Sequence, residues 1–128
     1  MRITQLLLSV VLVLRSVKKK VNPMSFGLKK NWRIEGNKRY LKGDYHSAIK
    51  LYSKAIEEDS INCEAFFNRG MAYHDLSLFH QAIQDFSTAI KLNLRFSEAY
   101  KSRALSYYSL NDSKKALADY NTATLLAG

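Results

Sequence analysis

Cut from Lys29 into windows of 34 residues beginning at Lys29, Cys63 and Ser97, the chain shows the same residue types at the same places three times. The fourth place of each window is aromatic (Trp32, Phe66, Tyr100), the eighth is Gly or Ala (Gly36, Gly70, Ala104) and the twentieth is Ala (Ala48, Ala82, Ala116). The twenty-fourth is aromatic again (Tyr52, Phe86, Tyr120) and the twenty-seventh is Ala (Ala55, Ala89, Ala123). A unit that repeats its apolar pattern at a fixed period must bury that pattern against the next unit, so the period constrains the fold more than any other feature.

Each window holds two apolar stretches of helical spacing, as in Phe66, Phe67, Gly70 and Tyr73 followed by Ala82, Ile83, Phe86, Ala89 and Ile90. Neighbours three and four apart predict two amphipathic helices per window. Turn-forming residues separate them, Gly43 and Asp44 in the first window and Asn111 and Asp112 in the third, with the weaker run Asp75 to Ser77 in the second. The small residues at the eighth, twentieth and twenty-seventh places sit where two helices approach most closely. The aromatics at the fourth and twenty-fourth fill the space beside them, and all of these positions are read as core rather than chemistry.

A period of 34 with small residues at fixed points and aromatics between them resembles the tetratricopeptide repeat, a helix-turn-helix unit that stacks into a solenoid. The resemblance covers about three quarters of the chain. It implies an all-α fold, an α-solenoid of three repeats at 29–62, 63–96 and 97–128, preceded by an apolar and basic segment over 1–28. Two departures from the family pattern stand out. The Pro near the end of each repeat is replaced by Ser60 and Leu94, and the leucine of the seventh place is Glu35, Arg69 and Arg103. The chain stops at Gly128, where the sixth helix ends, without the polar helix that caps a solenoid, so Leu117, Leu125 and Leu126 are expected to be partly exposed. Two readings stay open there: a partner covers this surface, or the sequence belongs to a longer product.

The formal net charge of +9 is unevenly placed. Residues 1–34 carry eight basic side chains (Arg2, Arg15, Lys18, Lys19, Lys20, Lys29, Lys30, Arg33) and no acidic one, which leaves +1 for the rest. Repeats this close to neutral do not spread Lys and Arg along a folded face with stacking aromatics, so nucleic acid is not an expected partner. A single cysteine, Cys63, permits no internal disulfide and no Cys-based metal motif, and fits cytosol-like redox conditions. His46, His74 and His80 have no ligand spacing, and no phosphate loop, nucleophile elbow or paired-carboxylate motif is present. The chain is therefore read as non-enzymatic, without metal or cofactor. Asn111-Asp112-Ser113 is a glycosylation sequon that matters only in a secretory lumen.

From Ile3 to Leu14 only Thr4, Gln5 and Ser9 interrupt an apolar run, and Arg15 and Lys18-Lys19-Lys20 follow at once. The run is short for a membrane span of about 20 residues and lacks a small-x-small cleavage pattern. Its basic flank holds that side in the cytosol. A signal anchor or targeting segment that makes membrane contact through residues 3–20, a cleaved secretory signal, and an extension with no targeting role all remain open, with the repeats themselves expected in the cytoplasm. Pro23 and Gly27 mark a linker.

In the tetratricopeptide family the first helix of each repeat lines a concave groove that holds an extended peptide or a partner's helix. Carried over one position at a time, the groove residues are Arg33, Asn37 and Tyr40 in the first repeat, Phe67, Asn68, Met71 and His74 in the second, and Lys101, Leu105 and Tyr108 in the third. This mixture of aromatic, polar and cationic groups suits a surface that grips a peptide by backbone hydrogen bonds and shallow apolar pockets. One subfamily, the co-chaperones that bind acidic tails of heat-shock chaperones, uses a five-residue carboxylate clamp. The chain resembles its first half in Arg33, Asn37 and Asn68, but Glu98 and Ser102 stand where Lys and Arg are needed. Charge-assisted bonds contribute about 1.5–3 kcal/mol each, so the clamp is incomplete. Self-association through the uncapped C-terminal helix is a third reading, with a structural rather than a recognition role.

Overall fold

The computed structural model describes residues 29–128 and Gln5, and apart from Gln5 the residues behind the anchor, targeting and membrane-contact readings of 3–20 lie outside the described residues. By contact density the chain divides into Met1–Lys30 and Asn31–Gly128, and the repeats occupy the second unit. Among the described residues no helix is long and apolar enough to cross a membrane.

Six helices fill the repeat unit: α1 (Trp32–Leu41), α2 (Tyr45–Glu58), α3 (Cys63–Asp75), α4 (Phe79–Leu92), α5 (Ser97–Ser109) and α6 (Ser113–Ala127). No strand is present among the described residues. Each 34-residue window thus delivers one helix pair, and the order of contacts is that of a solenoid. Helices pack within pairs (α1 on α2, α3 on α4, α5 on α6) and between them (α2 on α3, α4 on α5). The odd-numbered helices also touch one another, α1 with α3 and α3 with α5, whereas the even-numbered ones do not. The stack therefore curves, with α1, α3 and α5 on its inner side.

The turns inside each pair share one backbone solution. The fifteenth place of every window has a positive φ, at 76° for Gly43, 60° for Ser77 and 61° for Asn111. In all three the preceding helix closes with the paired bonds of a left-handed C-terminal motif, for instance Gly43 N–H to the Tyr40 carbonyl at 2.9 Å and Asp44 N–H to Arg39 at 3.0 Å. Glycine and asparagine enter this conformation easily. Ser77 adopts it with the same paired bonds, its N–H to the His74 carbonyl and Leu78 N–H to Tyr73, each at 2.8 Å. Asp44 and Asp112 then cap α2 and α6 by accepting from Ser47 and Lys115 N–H, each at 3.2 Å.

Between repeats, an aspartate or asparagine does the work of the missing proline. At the thirty-first place Asp59 and Asn93 leave the helix with extended backbone. Their side chains accept from the N–H two residues on, Asp59 from Ile61 at 3.2 Å and Asn93 from Arg95 at 3.1 Å. These side-chain turns compete with helix continuation and end α2 and α4.

The core follows the repeated small and aromatic places. Ala48, Ala55, Ala82, Ala89, Ala116 and Ala123 are buried, as are Gly36, Gly70 and Ala104. Tyr52 and Phe86 are 1% and 0% exposed, each lying under the glycine of its own repeat. A Cβ added at Gly36 would stand 2.6 Å from the Tyr52 ring, and one at Gly70 would stand 2.7 Å from the Phe86 ring. Tyr120 departs from this core expectation at 37% exposed. In its repeat the glycine is Ala104, and no described helix follows to cover the ring. Leu117 and Leu125 are 62% and 82% exposed, and Leu126 is half-buried.

The arginines at the seventh place, departures in the sequence, form the polar part of the core. Arg69 donates to both carboxylate oxygens of Asp85 at 2.8 and 2.9 Å and to Ser53 Oγ of the preceding repeat at 3.0 Å. Arg103 repeats this with Asp119 at 2.7 and 2.8 Å and Ser87 at 3.0 Å. The bidentate bond holds each guanidinium firmly in its charged form despite its partial burial. Phe66 and Tyr73 flank Arg69 with ring centroids at 5.7 and 5.9 Å, and Tyr100 and Tyr107 flank Arg103 at the same distances. The signal was in the sequence as a recurring triplet, Ser at the twenty-fifth place, Arg at the seventh of the next window and Asp sixteen residues further on.

Two stability outcomes follow. Gly36→Val drives a branched side chain into the Tyr52 ring and costs about 1–3 kcal/mol, read as a lower urea midpoint at unchanged slope. Asp85→Leu strands the Arg69 charge and costs about 3 kcal/mol, whereas the Arg69→Leu, Asp85→Leu pair falls within about 1 kcal/mol of the parent. A double-mutant cycle by urea denaturation measures the difference.

Candidate functional site

The inner side of the stack carries its polar chemistry where the first two repeats meet. Asn37 of α1 lies beside Tyr52 of α2 and Asn68 of α3. Its Oδ1 accepts from the Tyr52 hydroxyl at 2.7 Å and from Asn68 Nδ2 at 3.1 Å. One turn earlier, Arg33 Nη1 of α1 pairs with Glu64 Oε2 of α3 at 3.0 Å. One turn later, the Tyr40 hydroxyl donates to Asp75 Oδ2 at the end of α3. Three polar contacts thus tie α1 to α3 along the inner face.

These residues surround a pocket of about 330 Å³ lined by Asn37, Tyr40, Leu41, Tyr52, Phe67, Asn68 and Met71. Its apolar wall is fixed from behind, because the Phe67 ring packs against Phe86 and Phe96 at centroid distances of 5.7 and 4.8 Å. Burial pushes the Tyr52 hydroxyl up to about 12. Burial first, and then the bond to Asp75, also raises Tyr40 above the usual tyrosine range. Both phenols are therefore neutral hydrogen-bonding groups at physiological pH.

Of the ten residues proposed from sequence, five (Asn37, Tyr40, Phe67, Asn68, Met71) share this pocket and Arg33 stands beside it through Glu64. His74 lies outside it. Its Nδ1 is hydrogen-bonded to Ser106 Oγ at 2.9 Å, which makes the side chain a strut between α3 and α5. Its ring meets the edge of Phe79 at 5.2 Å. Lys101 lines a separate cavity of about 620 Å³ at the end of the stack, with Glu98, Tyr120, Ala123 and Thr124 among its neighbours. Leu105 and Tyr108 are exposed on α5. Leu41 and Tyr52 are the pocket residues that sequence reading missed. Tyr52 had been assigned wholly to the core, although only its ring is there.

The fold recurs in known proteins. A TPR repeat family model matches residues 36–77, and a tetratricopeptide repeat model matches 63–96. The second TPR domain of Spaghetti (RPAP3), bound to an HSP90 peptide SRMEEVD, superposes with a TM-score of 0.73 at 30% identity over 74% of this chain and 88% of that one. The chain belongs to the tetratricopeptide repeat family. The Arabidopsis OM64 TPR domain gives a TM-score of 0.73 at 30% identity over 74% of this chain and 78% of its own. The second TPR domain of human RPAP3, in complex with an HSP70 peptide SGPTIEEVD, gives 0.73 at 30% identity over 75% and 80%. MamA, at 21% identity and a TM-score of 0.71, shares the fold. A search of curated protein sequences gave no match. Among the described residues no cluster of His, Cys, Asp or Glu is arranged to hold a metal ion.

The tetratricopeptide core couples to pH through Tyr52. Its folded pKa of about 12 lies above the ordinary tyrosine value of about 10, so the folded state holds this proton more tightly than the unfolded chain does. The contribution is fully present below about pH 10 and is lost as pH rises toward 12. Tyr52→Phe should reduce the alkaline loss of stability between those values, leaving the part that comes from the raised Tyr40, measured as urea midpoints across the range.

Proposed function

We propose that this tetratricopeptide array is a non-enzymatic protein-interaction module that holds a peptide segment along α1, α3 and α5, seated in the pocket between the first two repeats. The observation that carries this reading is the pocket itself. Its wall of Tyr40, Phe67 and Met71 is apolar, and its rim places the amides of Asn37 and Asn68 side by side. An apolar recess with a few placed polar groups is what a side chain of an extended ligand fills while its backbone is held. The RPAP3 domains, at 30% identity, each carry a bound peptide, which supports the same use of the face here.

A second reading, recognition of acidic chaperone tails such as those in the RPAP3 complexes, has that kinship in its favour. The local electrostatics weigh against it. Arg33, the first cation of the clamp, is already paired with Glu64 at 3.0 Å. Glu98 and Ser102 hold the places where two further cations would face the ligand's carboxylates, and an anion there repels them. Self-association through exposed Leu117 and Leu125 is a structural alternative.

Selection from a displayed random-peptide library against the full chain tests the proposal. The expected outcome is enriched peptides with a recurring apolar residue, whose binding falls at least tenfold with Met71→Glu while helicity is unchanged. Retention of the same peptides by that variant would place recognition elsewhere. The peptide SRMEEVD, titrated in parallel, should bind at least tenfold more weakly than the selected sequences, and the reverse order would establish the chaperone-tail reading.

A further inference from the structure

We propose that the outer face of α6 binds a second copy of this chain, as an antiparallel pair of α6 helices whose two-fold axis passes through Asn121. The peptide pocket lies between α1, α2 and α3, so the proposal does not rest on the peptide-binding reading above.

The last helix is uncharged where its counterparts carry charge. On α2 the exposed places are Lys50, Lys54, Glu57 and Glu58. The same places of α6 are Ala118, Thr122, Leu125 and Leu126. From Leu117 to Gly128 the one charged side chain is Asp119, which is buried against Arg103. Leu117 and Leu125 are nonetheless exposed, and an uncharged strip with large apolar groups is the composition of an interface core.

A further helix pair of the kind that follows α2 and α4 does not account for this strip. Such a pair packs on Ile90 of α4 and leaves Lys91 in solvent. In α6 the preference is reversed, with Thr124 in the place of Ile90 and Leu125 in the place of Lys91. One residue turns a helical side chain by about 100°, so the apolar strip points away from the face that joins successive repeats.

The order of residues along the strip is self-complementary. Lys114, Leu117, Ala118, Asn121, Thr124 and Leu125 are spaced three, four and seven apart and share one band of the helix surface. Reversal about Asn121 brings Leu117 and Ala118 level with Leu125 and Thr124 of the second copy, so a large side chain meets a small one on each side of the axis. Asn121 meets its own equivalent there, and an amide, which has both donor and acceptor, is its own complement. Lys114 comes level with Gly128 of the second copy, where the α6 carbonyls end and where Glu98 lines the cavity of about 620 Å³ beside Lys101 and Thr124. Both the helix C-terminus and Glu98 attract Lys114. Glu98, the anion that breaks the carboxylate clamp, thereby gains a cationic partner. A single helix pair of 15 residues a side buries less than a permanent interface, so the dimer is expected to dissociate in the micromolar range.

Sedimentation velocity of the full chain from about 5 to 500 µM tests this, with an expected rise toward twice the monomer mass and no further. Leu117→Lys with Leu125→Lys should weaken the association at least tenfold at unchanged helicity. Lys114→Glu and Glu98→Lys should each weaken it, and mixing the two variants should restore it, since both cross-copy pairs are then opposite in charge. In a Cys63→Ser background, Asn121→Cys should form a disulfide with its own equivalent on mild oxidation. Ala118→Cys and Leu125→Cys should crosslink when mixed and not alone. A monomer throughout the range would overturn the proposal. So would growth beyond twice the monomer mass, which marks open head-to-tail stacking, or a dimer that survives the two lysines. Crosslinking of Ala118→Cys alone in preference to Asn121→Cys would overturn the axis.

Discussion

The stack depends on a contact between a glycine and an aromatic ring. Gly36 and Gly70 let the faces of Tyr52 and Phe86 lie where a Cβ would otherwise stand, at 2.6 and 2.7 Å from ring carbons. That approach sets the depth at which the second helix of each pair sits, and the depth decides what else is buried. With the Tyr52 ring seated, Ala48 and Ala72 pack with it from the same repeat and the next, and one repeat later Ala89, Ile90 and Ala99 form a second cluster against Phe66, Phe67, Phe96 and Tyr100. Burial of a ring of this size contributes about 1.5–3 kcal/mol, but only where neighbouring atoms fill the space around it. A single helix pair cannot supply those neighbours on both sides, which is why the repeats are stable only as a series.

The arginine network acts on a different property. Replacing a partly buried ion pair by well-packed apolar groups is often neutral in stability, so its value here lies in direction rather than strength. Arg69 spans three positions that must stay in register, its own helix, Asp85 in the partner helix and Ser53 in the preceding repeat. Arg103 spans the equivalent three. The first repeat, whose corresponding places are Glu35 and Leu51, has no such latch, and the described unit has no earlier repeat for it to engage.

The helix pairs, their three-fold succession and the buried alanines were legible because each is fixed by a residue type that recurs every 34 positions. The last ring was not, since Tyr120 has the same type and place as Tyr52 and Phe86 and differs only in what covers it. The helix ends without proline were also hidden. Asp59 and Asn93 terminate helices through bonds to N–H groups two residues away, a mechanism that no periodic pattern carries. The site was legible in part. Asn37, Tyr40, Phe67, Asn68 and Met71 came from a family's groove positions and meet at one pocket. His74 came from the same rule but bonds Ser106 across the next helix junction. The rule specifies which helix face a residue occupies, whereas its partner depends on the neighbouring repeat, where a serine happens to stand.

A repeated scaffold makes a unique site by breaking its own symmetry at few positions. The twenty-fourth place is aromatic in all three repeats for packing, but only in the first does a fully buried ring there carry a hydroxyl, because the second repeat has Phe86 and the third leaves Tyr120 half outside. The ninth place is Asn37 in the first repeat and Met71 and Leu105 in the others, so that hydroxyl meets an amide only once. The sixth place is Ile34, Asn68 and Ser102, which sets a second amide beside the first at a single junction. Tyr52 thereby joins the two levels of the molecule. Its ring is held by Gly36 as part of the core, and its hydroxyl fixes Asn37 on the inner face, so the contact that positions the helices also orients the polar rim of the pocket. Any substitution that moves the ring should disturb recognition before it unfolds the array, since hydrogen-bond direction fails over shorter displacements than apolar burial does.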